Sequence, residues 1–170
     1  MKKLKTYVLM LSKTFPATHT RAGEETGFAP KMMAAINGMP CFCKKLHTIR
    51  GNYELWQQRF NKIMAGEAVL SVRQWVGKPY GKGSTVREIA RLTREDGIGL
   101  QQVYLNSMAQ ITGERFSKVK LTEEEDIYRY VRTRKIAEND GLLYEDWKEW
   151  FRRIDRSKPY AIIHFTNFRY

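Results

Sequence analysis

Along this chain, short apolar runs alternate with stripes at helical spacing, and the two periods predict different elements. Residues 7–12, opening Tyr7-Val8-Leu9, read as a buried strand that stops at a polar, Pro-containing stretch. Residues 14–30 carry Pro16, Gly23, Gly27 and Pro30 with little periodicity and predict an ordered loop. A short helix over 31–36 follows, closed by Gly38 and Pro40. Asn52 is the predicted cap of a helix running to about Ala65, with Leu55, Trp56, Phe60, Ile63 and Met64 near its apolar side and Gly66 in the stop position. Residues 68–75 and 86–92 are predicted strands of one hairpin, joined through the loop Gly77 to Ser84, and residues 100–105 add a further strand.

In the last third, Thr122-Glu123-Glu124-Glu125 has the form of a capping box. It predicts a helix carrying Ile127, Tyr128, Val131 and Ile136 inward and ending at Asp140-Gly141. A second helix over 144–154 places Trp147, Trp150, Phe151 and Ile154 at helical spacing, as core rather than as a base-stacking platform, and residues 160–168 form a closing strand. Several strands with a few helices, and no alternation of strand and helix, indicate an α+β fold with a largely antiparallel sheet or barrel.

Composition narrows the class. With 170 residues the chain can bury one real core, so residues 1–170 are expected to form a single domain. Four Trp, nine Tyr and eight Phe argue against disorder, and two cysteines as close as Cys41 and Cys43 exclude a disulfide framework. No apolar run reaches membrane-span length, and the stretch after the basic start is too short for a signal peptide, so the expected location is the cytoplasm. Thirty Lys and Arg against 18 Asp and Glu leave +12, which points to a polyanionic partner, most often nucleic acid.

Few residues carry candidate chemistry. The loop from Gly77 to Ser84 lacks the spacing of a phosphate-binding P-loop, but as a basic hairpin tip Lys78 and Lys82 could lie along a phosphate backbone. Cys41, Cys43 and His47 have no second ligand pair, so neither a metal nor a cofactor is expected. More informative is Lys45-Leu46-His47-Thr48-Ile49-Arg50. If extended, it sends Thr48 and Arg50 to one face with Lys45 at the strand entrance, converging a cation, a hydroxyl and a guanidinium on a phosphate, a carboxylate or the carbonyl of a base. The dull alternative is an exposed strand with basic residues flanking a Thr.

That hexapeptide resembles the Lys-x-x-Thr-x-Arg signature of the ASCH domain, a small β-barrel related to the PUA RNA-binding fold. The predicted first strand, central hairpin, acidic turn at 136–142, following helix and closing strand resemble the family's in order. Two departures stand out: Cys43 occupies the position of the family's usual Gly, and Asp140, with Glu138 nearby, stands where the family commonly carries Glu.

The resemblance implies a PUA/ASCH-like, mostly antiparallel β-barrel with peripheral helices. It further implies a cleft at the barrel mouth that binds RNA, another nucleic acid or a nucleotide through Lys45, Thr48, Arg50 and Glu138. Some small members look like amidohydrolases that deacylate N4-acetylcytidine. Carried over by position, Lys45 would handle the proton near Thr48, Thr48 would attack the amide carbonyl, and Asp140 would relay a proton to the leaving amine. The charge balance places RNA or nucleotide binding ahead of hydrolysis of a modified nucleoside, with an acidic protein partner as a third class.

Overall fold

The computed structural model describes residues 4–40, 43–112 and 128–170. It is a mixed α+β structure whose strands form two sheets. The smaller has the order β1-β3-β4, from β1 (Lys5–Met10), β3 (Ala68–Val76) and β4 (Thr85–Leu92). The larger has the order β2-β8-β5-β6-β7, from β2 (His47–Arg50), β5 (Gly99–Leu105), β6 (Met108–Thr112), β7 (Tyr128–Arg132) and β8 (Tyr160–His164). Every pairing in the larger sheet is antiparallel. In the smaller sheet β1 runs parallel to β3, a pairing that requires a long crossover, and the crossover carries α1 (Phe28–Ile36), β2 and α2 (Tyr53–Met64). Two further helices, α3 (Thr133–Asn139) and α4 (Tyr144–Trp150), lie between β7 and β8.

Strand position explains strand sequence. The Ala161-Ile162-Ile163-His164 run of β8 is buried on both faces, as its unbroken apolar run requires, while β2 and β5 pair with its two edges. β5 instead buries alternate residues, Gly99, Gln101, Val103 and Leu105, as a one-faced strand should. In α2, Trp56, Phe60 and Ile63 fall on one face and join a single apolar cluster that includes Leu70 and Val72 of the small sheet and Ile162 and Ile163 of the large one. Asn52 caps α2 by accepting from the Leu55 amide at 3.2 Å, and it does so with φ at +56°, in the left-handed region.

The hairpin of β3 and β4 and the strand β5 lie where the apolar pattern put them. The helix predicted to start at Thr122 is different. Its start and Ile127 lie outside the described residues, and Tyr128–Arg132 is a strand paired with β6, so Val131 belongs to a sheet and only Ile136 to a helix. Ladder pairing with β6 satisfies the backbone groups on one side of this edge strand and sets a state that its own mixed pattern could not specify. The predicted loop of 14–30 ends earlier than expected, because α1 begins at Phe28. The rest of that loop is tied to α4: Thr20 donates from its amide and hydroxyl to Glu149 at 2.9 and 2.8 Å, and Arg21 pairs with Asp146 at 2.7 Å. Among the described residues no helix is long and apolar enough to cross a membrane.

Replacing Asn52 should separate its two roles. Asn52→Gly keeps the left-handed backbone and is expected to cost a few tenths of a kcal/mol. Asn52→Ala loses both cap and permissive backbone and should cost about 1–2 kcal/mol in chemical denaturation.

Candidate functional site

β2 leads out of a backbone junction that gathers the site. The Leu46 amide donates to Asn139 O at 2.7 Å, Lys45 and Asp140 form an isolated antiparallel bridge, and the Lys45 amide reaches Lys31 O at 3.2 Å. The end of α3 therefore lies against the start of β2. Gly141 makes this approach possible: its φ is +78°, and a Cβ there would stand 3.2 Å from Lys45 Cβ. Lys31 secures the same turn, its Nζ donating to Gly141 O at 2.8 Å and Thr26 O at 3.0 Å.

The result is a fully buried ion pair. Lys45 has no exposed surface, and its Nζ donates to Asp140 Oδ1 at 2.5 Å and to Asp140 O at 2.7 Å while lying 3.8 Å from the centre of the Phe28 ring. Burial pushes the ammonium down to about 8, against the opposing pull of Asp140. Burial likewise raises the Asp140 carboxyl, an effect opposed by Lys45 and, more weakly, by Arg50. Two residues along β2, Arg50 Nη1 donates to Thr48 Oγ1 at 3.0 Å and to Ile49 O at 2.8 Å, and its Nη2 donates to Met10 O at 2.5 Å. The guanidinium is thus held across the gap between the two sheets, facing the Thr48 hydroxyl.

Lys45, Thr48, Arg50 and Asp140 line one small recess with Phe28, Leu142, Trp150 and Phe151 as apolar walls and Ser12 at the exposed rim. Its volume is about 20 Å³, room for roughly one water, so it fits a single carbonyl or carboxylate oxygen rather than a whole ring. With Lys45, Arg50 and nearby Lys31 against Asp140, it favours an acceptor with partial or full negative charge. Behind it, the His47 Nε2 lies 2.6 Å from Tyr170 OH, and Asn139 Nδ2 donates to the same oxygen at 3.0 Å. Burial, His164 and Lys45 hold His47 well below the ordinary imidazole range, so it adds no charge next to the ion pair.

The other sequence candidates lie apart. Glu138 is exposed and paired with Lys135 at 3.2 Å, whereas Asp140, two residues on, turns inward. Lys78 and Lys82 stand exposed at the tip of the β3–β4 hairpin and do not line the recess. Cys43 is exposed and Cys41 lies outside the described residues. Sequence reasoning missed Phe28, assigned to a loop, and it read Trp150 and Phe151 only as core. Their spacing on a helix identified an apolar face, but nothing in it identified which other elements that face would meet. Comparison with known protein families, curated proteins and solved structures returned no match.

Two measurements test the pair. The Lys45 side chain should titrate near 8 by NMR of its ε-methylene, and Asp140→Asn, which removes the supporting charge, should move it lower still. Because the folded state holds this proton less tightly than the unfolded chain, Lys45 should add stability as pH rises from about 8 toward 10.5. Asp140→Ala, leaving the ammonium buried and unpaired, should cost about 3–5 kcal/mol in denaturant unfolding near neutral pH.

Proposed function

We propose that the chain is a small nucleic-acid-binding domain of the PUA-related class, its two sheets forming the halves of a mostly antiparallel barrel with peripheral helices. Within that class we read it as an ASCH-like domain that grips the polar edge of one nucleobase in an RNA or a nucleotide. The observation that carries this reading is that Lys45, Thr48, Arg50 and Asp140, drawn from two distant segments, line a single recess. Supporting it, the recess has donors suited to a base carbonyl, apolar walls suited to a ring edge, and a chain of net charge +12 around it.

A second reading rests on a specific observation. The Thr48 hydroxyl, held by Arg50 Nη1 at 3.0 Å, shares the recess with Lys45, whose burial lowers its ammonium and so suits it to proton transfer. In this reading the substrate is an N-acylated cytidine. Thr48 Oγ attacks the amide carbonyl and gives its proton to the neutral form of Lys45, the C–N bond breaks with a proton delivered to the amine by way of Asp140, and water then releases the acid from the Thr48 ester. Arg50, already on Thr48 Oγ1, stabilises negative charge developing on oxygen.

Fluorescence anisotropy with a labelled single-stranded RNA tests the first reading. Binding should weaken steeply with added salt, and Arg50→Ala should reduce affinity about tenfold or more; absent or salt-independent binding would overturn it. Incubation with N4-acetylcytidine tests the second. It should yield cytidine at a rate that rises with pH through about 8, and Thr48→Ala should abolish turnover; no product at high protein concentration removes that substrate.

A further inference from the structure

The recess just described takes only a polar edge, but Phe151 forms a wall of a second cavity as well. That cavity has a volume of about 370 Å³, within the usual range for a small bound molecule. α4 supplies one side of it with Tyr144, Trp147 and Lys148, and the turn beyond supplies Arg152 and Arg156. Three cations and no carboxylate line it. Of the acids in the same region, Glu149 holds Thr20, Asp146 holds Arg21 and Asp155 accepts from the Ser157 amide and hydroxyl, while Glu145 pairs with Lys148 at 2.7 Å and offsets that cation, so Arg152 and Arg156 are the principal positive groups of the cavity.

The cations are placed rather than scattered. Arg152 Nη2 donates to Thr18 O at 3.1 Å and Arg156 Nη1 donates to Leu105 O at 2.6 Å. One carbonyl steadies each guanidinium and leaves its remaining N–H groups for an anion; planar forks of this kind suit phosphate oxygens. Tyr144 forms a wall of the same cavity, its ring already faced by Lys148 Nζ at 4.9 Å and by the Arg134 guanidinium at 4.7 Å from the ring centre, and its hydroxyl 3.1 Å from Thr133 Oγ1. Two guanidiniums fixed on one side of a cavity of this size suit the phosphate of one nucleotide, with its base held elsewhere.

We propose that this second cavity is a phosphate-bearing nucleotide site, occupied by the sugar-phosphate of the ligand whose base edge enters the recess beyond Phe151. The inference rests on the reading of that recess and extends it to a substrate class: the ligand is a nucleotide or an RNA strand and not a free nucleoside.

Calorimetric titration with cytidine, cytidine 5′-monophosphate and a six-residue cytidine RNA tests this. The monophosphate should bind about tenfold or more tighter than cytidine, and the combined Arg152→Ala, Arg156→Ala variant should erase that preference while leaving cytidine binding unchanged. Both arginines are exposed, so the variant is expected to fold; if it does not, Lys148→Gln should still weaken the monophosphate and spare cytidine. Tighter binding of the RNA than of the monophosphate would identify a strand as the source of the phosphate, and equal affinity would identify the free nucleotide. Equal binding of cytidine and its monophosphate, with Arg50→Ala weakening both, would overturn the second cavity and leave the recess standing. A phosphate preference that Arg152 and Arg156 govern but Arg50 does not would support the cavity and overturn the recess. Displacement of the RNA by an acidic peptide at equal concentration would overturn the nucleotide assignment.

Discussion

A lysine ammonium without exposed surface is held in this fold by one carboxylate, one carbonyl and one aromatic face, and the surrounding architecture is arranged to keep those three in place. Removing two charges from water costs several kcal/mol each, and their attraction offsets this only when geometry is good and remaining polar groups are satisfied. Here the Asp140 carboxylate and carbonyl both face Lys45 Nζ, so a single residue supplies two acceptors. That economy requires the end of α3 to pack directly on the start of β2. A glycine at 141 permits the approach, and Lys31 clamps its carbonyl.

The same pair organises the chemistry around it. Lys45, just ahead of β2, and Arg50 at its end line one recess, and Arg50 is pinned across to β1 through Met10 O, so the guanidinium faces Thr48 instead of solvent. Apolar walls from α1 and the region of α4 lower the local dielectric, which strengthens each polar contact and raises the cost of leaving one unmade. The loop ahead of α1 is bolted to α4 by Thr20 and Arg21 and so fixes the wall that carries Trp150 and Phe151. Phe151 then divides the small acceptor-binding recess from the larger cationic cavity, giving the surface two neighbouring compartments of different size and charge.

Much of this was legible locally. The run 68–75, the hairpin after it and the Trp56, Phe60, Ile63 stripe specify their elements because apolar period alone distinguishes strand from helix there. The Thr48, Arg50 pair was visible for the same reason, since extended backbone places alternate residues on one face, and Lys45 stood just ahead of it at the strand entrance. Tyr128–Arg132 was not legible: aromatic, aliphatic and basic residues mix without a clean period, and pairing with β6 decides its state. Nor could the sequence choose between Glu138 and Asp140, which lie two residues apart on one acidic turn. Burial against β2 makes that choice, turning Asp140 inward and leaving Glu138 with Lys135 at the surface.

The sequence by itself determined the mixed strand-and-helix composition, the basic charge and the short motif that supplies a cation, a hydroxyl and a guanidinium, because these depend on residues close together in the chain. Only the tertiary structure decided which acid completes the motif, that Phe28, Trp150 and Phe151 wall it, and that a cationic cavity adjoins it. Those contacts join separate elements, Lys45 and Asp140 about a hundred residues apart, and a contact of that kind is set by how whole elements pack rather than by any local pattern.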